Sequence, residues 1–318
     1  MTRHLTVAAG QLGPIGPSDS RGAVVQRLIR MLEEAGDRRC DLVVFPEMAL
    51  TPFFPRNWIP NPGDRDRFFE FEMPSVETKP LFEAAARLGI GFYLGYCEAV
   101  DGPGFRKRFN TAILVDGAGQ IVGKYRKVHL PGNAVYDPSL KLQHLEACYF
   151  DDGDLGFPVF EAFGGRVGML ICNDRRWPEP YRVMGLQGVE LICLGYNSPA
   201  QLPDHPEQNA LRTFHHLVPM QAAAYQNGTW IVATAKAGLE EGCDMMGQSC
   251  IIAPSGEVLA IASTLEDELL SYRIDLDKTL DYKRFFDFGI YRRPEAYGLI
   301  TKRRAVGPPL AKGDMPSA

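Results

Sequence analysis

Apolar positions along the chain alternate between two periods. Residues 5–11 (LTVAAGQ) form a compact strand-length run. Val24, Val25, Leu28, Ile29 and Leu32 then recur at helical spacing across residues 22–35, and DLVVFPE reads as a second strand. The alternation continues with a helix over 78–88, the strand IGFYLGYCEAV, and two apolar runs joined at DGAG, whose composition suits a hairpin turn. In the second half GRVGMLICND predicts a strand with a polar tip, PEPYRVMGLQG a helix opened by prolines, and VELICLGYN another strand with a polar tip. A long helix over about 208–226, the strand TWIVATA, a hairpin-like pair in GQSCIIAPSGEVLAIAS, the strand LLSYRIDL and a helix in DKTLDYKRFFDF complete the pattern.

Strands alternating with helices bury their apolar faces only in layers, so the expected fold class is α/β, with two mixed sheets packed face to face and helices outside. The turns DGAG and PSGE occupy similar places in the two halves and hint at an internal duplication. No Ser/Gly-rich linker or charge block separates the halves, so residues 1–300 are expected to form a single domain. Residues 301–318 carry Pro and Gly without an apolar period, which suits an extended or mobile C-terminal arm or a strap on a partner subunit.

Composition narrows the partners. Hydrophobic residues at 45% and charged residues at 23% suit an ordinary globular core. The 34 Lys and Arg against 39 Asp and Glu leave a formal net charge of -5, without the basic footprint that nucleic acid requires. No segment approaches the length of a bilayer-spanning helix, so no membrane partner is expected. The seven cysteines are scattered without a CxxC pair, which points to reduced thiols in the cytoplasm and to no zinc or redox dithiol.

Three residues stand out against this pattern. Cys172 ends an apolar strand just before a polar turn and a helix, where backbone N–H groups face an oxyanion and a helix start lowers a thiol pKa. Glu47 directly follows the almost wholly apolar DLVVFP, a place where a carboxylate is costly unless it is paired or used. Lys127 closes the run GKYRK, where a solvated basic face is the plain alternative. Together they supply a base, an electrophilic cation and a nucleophile, the set that acyl transfer needs.

FPE with Glu47, GKYRKVHLP with Lys127 and ICND with Cys172 resemble, in type, order and spacing, the Glu–Lys–Cys signature of the nitrilase superfamily of carbon–nitrogen hydrolases, over roughly residues 4–300. That resemblance implies a four-layer αββα sandwich, association into a homodimer or homotetramer through helical faces, and a thioester mechanism with no metal or organic cofactor. It also implies a second glutamate after the lysine. Glu146 is the candidate, with a surface acid as the alternative.

FPEMALTPFFPR, RFNTAILVD, ICNDRRWPE, TFHH, MQAAAYQNG and GQSCIIAPSGE further resemble the branch that hydrolyses N-carbamoyl-D-amino acids to D-amino acid, carbon dioxide and ammonia. The branch implies His129, His144 and His215 around the pocket, Arg175 and Arg176 at the substrate carboxylate, and Asn173 and Asn197 near its polar groups. A guanidinium pair just past a nucleophile also suits bidentate capture of a carboxylate on chemical grounds. His215 lies in a helical stretch, where a structural histidine fits equally well. The loops over 133–146 and 198–212 depart from the branch pattern, with Ser198 in place of a threonine, which leaves the substrate side chain and stereochemistry open; β-ureidopropionase or another amidase for a carboxylate-bearing substrate, and a non-catalytic metabolite binder, are the alternatives.

Overall fold

A computed structural model describes residues 2–285 and 287–307. Two six-stranded sheets dominate it. The first runs β14 (Glu268–Asp275), β1 (His4–Gln11), β2 (Leu42–Val44), β3 (Gly91–Gly102), β4 (Phe105–Val115) and β5 (Ile121–Arg126). The second runs β13 (Val258–Ile261), β12 (Cys250–Ile252), β9 (Trp230–Ala235), β8 (Leu191–Tyr196), β7 (Gly165–Ile171) and β6 (Val159–Ala162).

Pairings in the first sheet, taken from β14, are antiparallel, parallel, parallel, antiparallel and antiparallel. The second sheet repeats that order when taken from β6. The hinted duplication is thus present in topology: β2 and β8 are equivalent central strands, and the DGAG and PSGE turns join equivalent hairpins.

Alternation of side chains along each strand builds the layers. Val7, Ala9, Leu42, Val44 and Leu114 share one buried cluster with Val167, Met169, Ile171, Leu191, Cys193 and Val232 of the facing sheet. The intervening Ala8, Val43 and Ile113 pack outward against Val24, Leu28, Leu32, Leu81 and Phe82 of the helices Arg21–Asp37 and Lys79–Leu88. Ser20 caps the first of these helices by accepting from Ala23 N at 3.2 Å. Leu32→Ala in this layer should remove about 2–5 kcal/mol of stability. Helices Pro178–Leu186 and Arg212–Asn227 cover the other outer face with Tyr181, Met184, Met220 and Ala224. The result is the expected α/β sandwich of mixed sheets flanked by helices.

Three differences from the pattern stand out. The helix expected over 208–226 opens as a 3-10 turn, Pro206–Leu211, and becomes α-helical at Arg212. Strand β6 and a hairpin of β10 (Ala237–Glu240) and β11 (Cys243–Met246) were not anticipated, because four-residue strands leave too short a period to read. Most of the C-terminal arm lies outside the described residues, while 303–307 are exposed after the helix Gly298–Lys302. No described helix is long and apolar enough to cross a membrane.

Candidate active site

The ends of the two central strands meet at Glu47 and Asn197. Beyond β2, Pro46 offers no N–H to continue the ladder, and the chain turns through Met48 at φ 46°. Glycines on both sides let the Glu47 backbone approach: a Cβ at Gly95 would lie 2.7 Å from Glu47 Cα, and one at Gly195 2.4 Å from Glu47 N. The Asn197 backbone N–H donates to Glu47 Oε2 at 3.0 Å, and its side-chain Nδ2 donates to the Glu47 carbonyl at 2.8 Å.

Lys127 enters from β5 by parity. Gly123 and Tyr125 face the interior and Lys127 is the next position inward, while Lys124 and Arg126 turn to Glu98 at 2.7 and 2.8 Å. The basic run is therefore divided, and its last member is fully buried. Lys127 Nζ donates to Glu47 Oε1 at 2.7 Å and to Glu146 Oε2 at 2.5 Å. Glu146 is buried at the start of the short helix Glu146–Tyr149, not a surface acid. Asn110 Nδ2 bridges the same two carboxylates at 2.8 and 3.1 Å.

Cys172 follows β7 with φ 46°, a left-handed conformation that strains a side-chain-bearing residue and marks a forced turn. Its Sγ lies 3.4 Å from Asn197 O. One ligand atom each of Glu47, Glu146 and Cys172 falls within 4.8 Å of the others. Such a donor set invites a cation, and the Lys127 ammonium already bridges its two carboxylates.

One ammonium cannot neutralise two carboxylates. Burial of Lys127 opposes its charge, but Cys172, Glu146 and Glu47 outweigh burial and hold its pKa well above the ordinary value. Burial, reinforced by Glu47 and opposed by Lys127, pushes Glu146 up to about 7. The Cys172 thiol is likewise pushed up to about 11, first by burial and then by Glu47, with Lys127 and Arg175 pulling the other way. The expected lowering of the thiol pKa by a helix start is overturned, because a 3-10 turn, Cys172–Arg176, intervenes and a buried carboxylate faces the sulfur.

The remaining candidates separate. Arg175 is buried: Nη1 donates to Cys172 O at 2.8 Å, Nη2 to Ser198 Oγ at 2.9 Å, and the guanidinium lies 4.6 Å from the Tyr196 ring centroid. Arg176 is exposed and makes no salt bridge among the described residues; the like charge of Arg175, then burial, pulls it down to about 10. Arg175 is therefore engaged within the protein, while Arg176 has no bonded partner among the described residues. Asn173 Nδ2 donates to His129 O at 3.2 Å.

His129 stacks on Trp177 at 4.9 Å with its Nδ1 2.8 Å from Asp174 Oδ1. His144 meets Phe53 edge-on at 5.8 Å, its Nδ1 is buried without a partner among the described residues, and burial followed by Lys127 lowers its pKa to about 4. His215 sits half-buried against Phe214, and no hydrogen bond or ion pair joins it to Cys172, Glu47 or Lys127 among the described residues. Its neighbour His216 is the buried one, bonded to Tyr196 Oη at 3.1 Å.

Two residues of the site were missed. Asn110 was visible as an amide opening the apolar run NTAILV. Asp174, fully buried, accepts from Tyr125 Oη at 2.7 Å, His129 N at 3.0 Å and Ile171 N at 3.2 Å. It ties the backbone just before Cys172 to the backbone just after Lys127.

Comparison with known proteins identifies the family. Residues 6–284 match the carbon-nitrogen hydrolase family. The N-carbamoylputrescine amidase of Solanum tuberosum is 27% identical over 312 residues, covering 94% of this chain and 95% of that protein. A nitrilase of Pyrococcus abyssi is 30% identical over 250 residues, covering 78% and 81%. The crystal structure of a carbon-nitrogen hydrolase from Helicobacter pylori G27 superposes with a TM-score of 0.82 at 25% identity, covering 95% of this chain and all of that one. The chain belongs to the carbon-nitrogen hydrolase family of the nitrilase superfamily, and is an amidohydrolase for a small substrate with an amide-type bond.

Proposed function

We propose that the chain hydrolyses the ureido group of N-carbamoyl amino acids, with the D-enantiomer preferred, through a thioester on Cys172. The observation that carries this reading is the buried cluster in which Lys127 Nζ bridges Glu47 and Glu146 beside the Cys172 thiol. Glu47 takes the thiol proton as Sγ attacks the ureido carbon, which a thiol with a raised pKa requires. Two of the three Lys127 N–H donors go to carboxylates, so the third faces the oxyanion together with the backbone N–H of Asn173. Glu47 returns the proton to the leaving nitrogen and ammonia departs. Water activated by Glu47 then attacks the thioester, releasing the free thiol and a carbamate, which loses carbon dioxide to give the amino acid.

Three features support the substrate assignment. The relative from Solanum tuberosum is named for an N-carbamoyl substrate. Arg176, exposed beside the nucleophile and without a carboxylate partner among the described residues, suits an anionic substrate and disfavours the cationic end of a carbamoylated diamine. The D-preference follows the motif resemblance alone. The second reading, favoured by the name of that same relative, is a carbamoylated amine.

The test is ammonia release from N-carbamoyl-D- and L-amino acids, N-carbamoyl-β-alanine, N-carbamoylputrescine and simple amides. The highest kcat/KM on an N-carbamoyl-D-amino acid is expected; a preference for N-carbamoylputrescine would falsify the substrate assignment. A homodimer or homotetramer is the proposed assembly, to be checked by sedimentation.

A further inference from the structure

Away from the reacting groups, one ion pair is buried as deeply as they are. Lys236, directly after β9, and Glu240, at the end of β10, are both inaccessible, with Nζ donating to Glu240 Oε2 at 3.2 Å. Their other bonds converge on one segment. Lys236 Nζ donates to Thr51 O. Glu240 Oε1 accepts from Phe53 N at 2.7 Å and from Arg56 Nη2 at 3.4 Å, and Arg56 Nη2 also donates to Glu240 O at 2.9 Å. Only Ile15 N, which donates to Oε2 at 3.1 Å, lies elsewhere.

Residues 48–56 form a strap between the two carboxylates that hold Lys127. The strap leaves Glu47 through the left-handed turn at Met48. At its far end Pro55 O accepts from Leu145 N at 2.8 Å, one residue before Glu146, and the Phe53 ring meets His144. The strap thus ties the position of Glu47 to that of Glu146, alongside the bridges made by Lys127 and Asn110.

A buried ion pair is a poor source of net stability, and a well-packed apolar pair of equal volume serves about as well. An apolar pair cannot accept the N–H groups of Phe53, Ile15 and Arg56 or hold the Thr51 carbonyl. We infer that Lys236 and Glu240 are positioning residues for the reaction: they lock the strap so that Glu47 and Glu146 stay together on Lys127 Nζ. This inference rests on the reading of Cys172, Glu47 and Lys127 as the reacting groups.

The test compares wild type with Glu240→Gln and with the double variant Lys236→Met/Glu240→Leu. Circular dichroism and a thermal melt establish the folded fraction at the assay temperature. Turnover then gives kcat, KM and the pH profile, and iodoacetamide labelling read by peptide mass spectrometry gives the pH dependence of Cys172 alkylation. In a folded variant kcat should fall about 10- to 100-fold with KM little changed, as small misplacements of reacting groups do. The limbs of the pH profile and the alkylation curve should also move. Wild-type kcat, profile and alkylation in a folded variant would overturn the inference. So would a loss that merely tracks the unfolded fraction, or the failure of both variants to accumulate as folded protein. If wild type turned over none of the substrates, the functional reading would fail, and the alkylation curves would still decide whether the strap is set by this pair.

Discussion

Asn197 grips Glu47 twice, with its backbone N–H on Oε2 at 3.0 Å and its side-chain amide on the Glu47 carbonyl at 2.8 Å. The two residues follow the equivalent central strands β2 and β8, so the grip joins the two sheets at the point where the chemistry is proposed. Asn197→Ala keeps the first bond and loses the second. Stability should fall by about 1–2 kcal/mol, as for a buried carbonyl left without its donor, and kcat should fall more than KM rises. Urea denaturation and steady-state kinetics check both.

Asp174 performs a similar task between Cys172 and Lys127. Asp174→Asn preserves size while removing the charge that accepts from Tyr125, His129 and Ile171. Charge-assisted bonds contribute about 1.5–3 kcal/mol each, so a loss of at least that order is expected, with a lowered melting temperature and a reduced rate of Cys172 alkylation. A variant as stable and as reactive as wild type would show that the tie is dispensable.

Arg176 and Arg175 should respond differently to substitution. Arg176→Gln should raise KM for N-carbamoyl amino acids and leave simple amides unaffected, because Arg176 is exposed and makes no salt bridge among the described residues. Arg175→Gln should impair every substrate through kcat, because its guanidinium holds the Cys172 carbonyl and Ser198. Side-by-side kinetics on an N-carbamoyl amino acid and its amide check the split.

The pH dependence has two sides. Glu146, raised to about 7, binds its proton more tightly folded than unfolded, so its contribution to stability is present at low pH and disappears as pH rises through about 7. His144, lowered to about 4, acts in the opposite sense. Its contribution is whole above the ordinary histidine range and is lost as pH falls towards about 4, with an upper bound of about 3 kcal/mol. Glu146→Gln should flatten the alkaline step and His144→Gln the acid step in urea midpoints measured against pH. Persistence of either step in its variant would assign it to another group.

Much of this was legible in the sequence because buried strands leave long apolar runs, and a charged or polar residue at the end of such a run is conspicuous. Glu47 and Cys172 were found on that basis, and Lys127 by its place in the basic run that closes β5. The direction of each arginine was not legible, since Arg175 and Arg176 are adjacent and only the fold of the turn sends one inward. Nor was the thiol pKa, which depends on Glu47 arriving from the other sheet. Asn110, Asp174, Lys236 and Glu240 were missed because each lies in a short polar interruption whose partners come from other segments, up to 225 positions away for Glu240 and Ile15.

The most direct test of the proposed chemistry is mass spectrometry of Cys172. Enzyme quenched during turnover of an N-carbamoyl-D-amino acid should carry on the Cys172 peptide the mass of the substrate less ammonia. Cys172→Ala should carry none and release no ammonia. Turnover by a folded Cys172→Ala variant, or an adduct confined to another of the seven cysteines, would contradict the account.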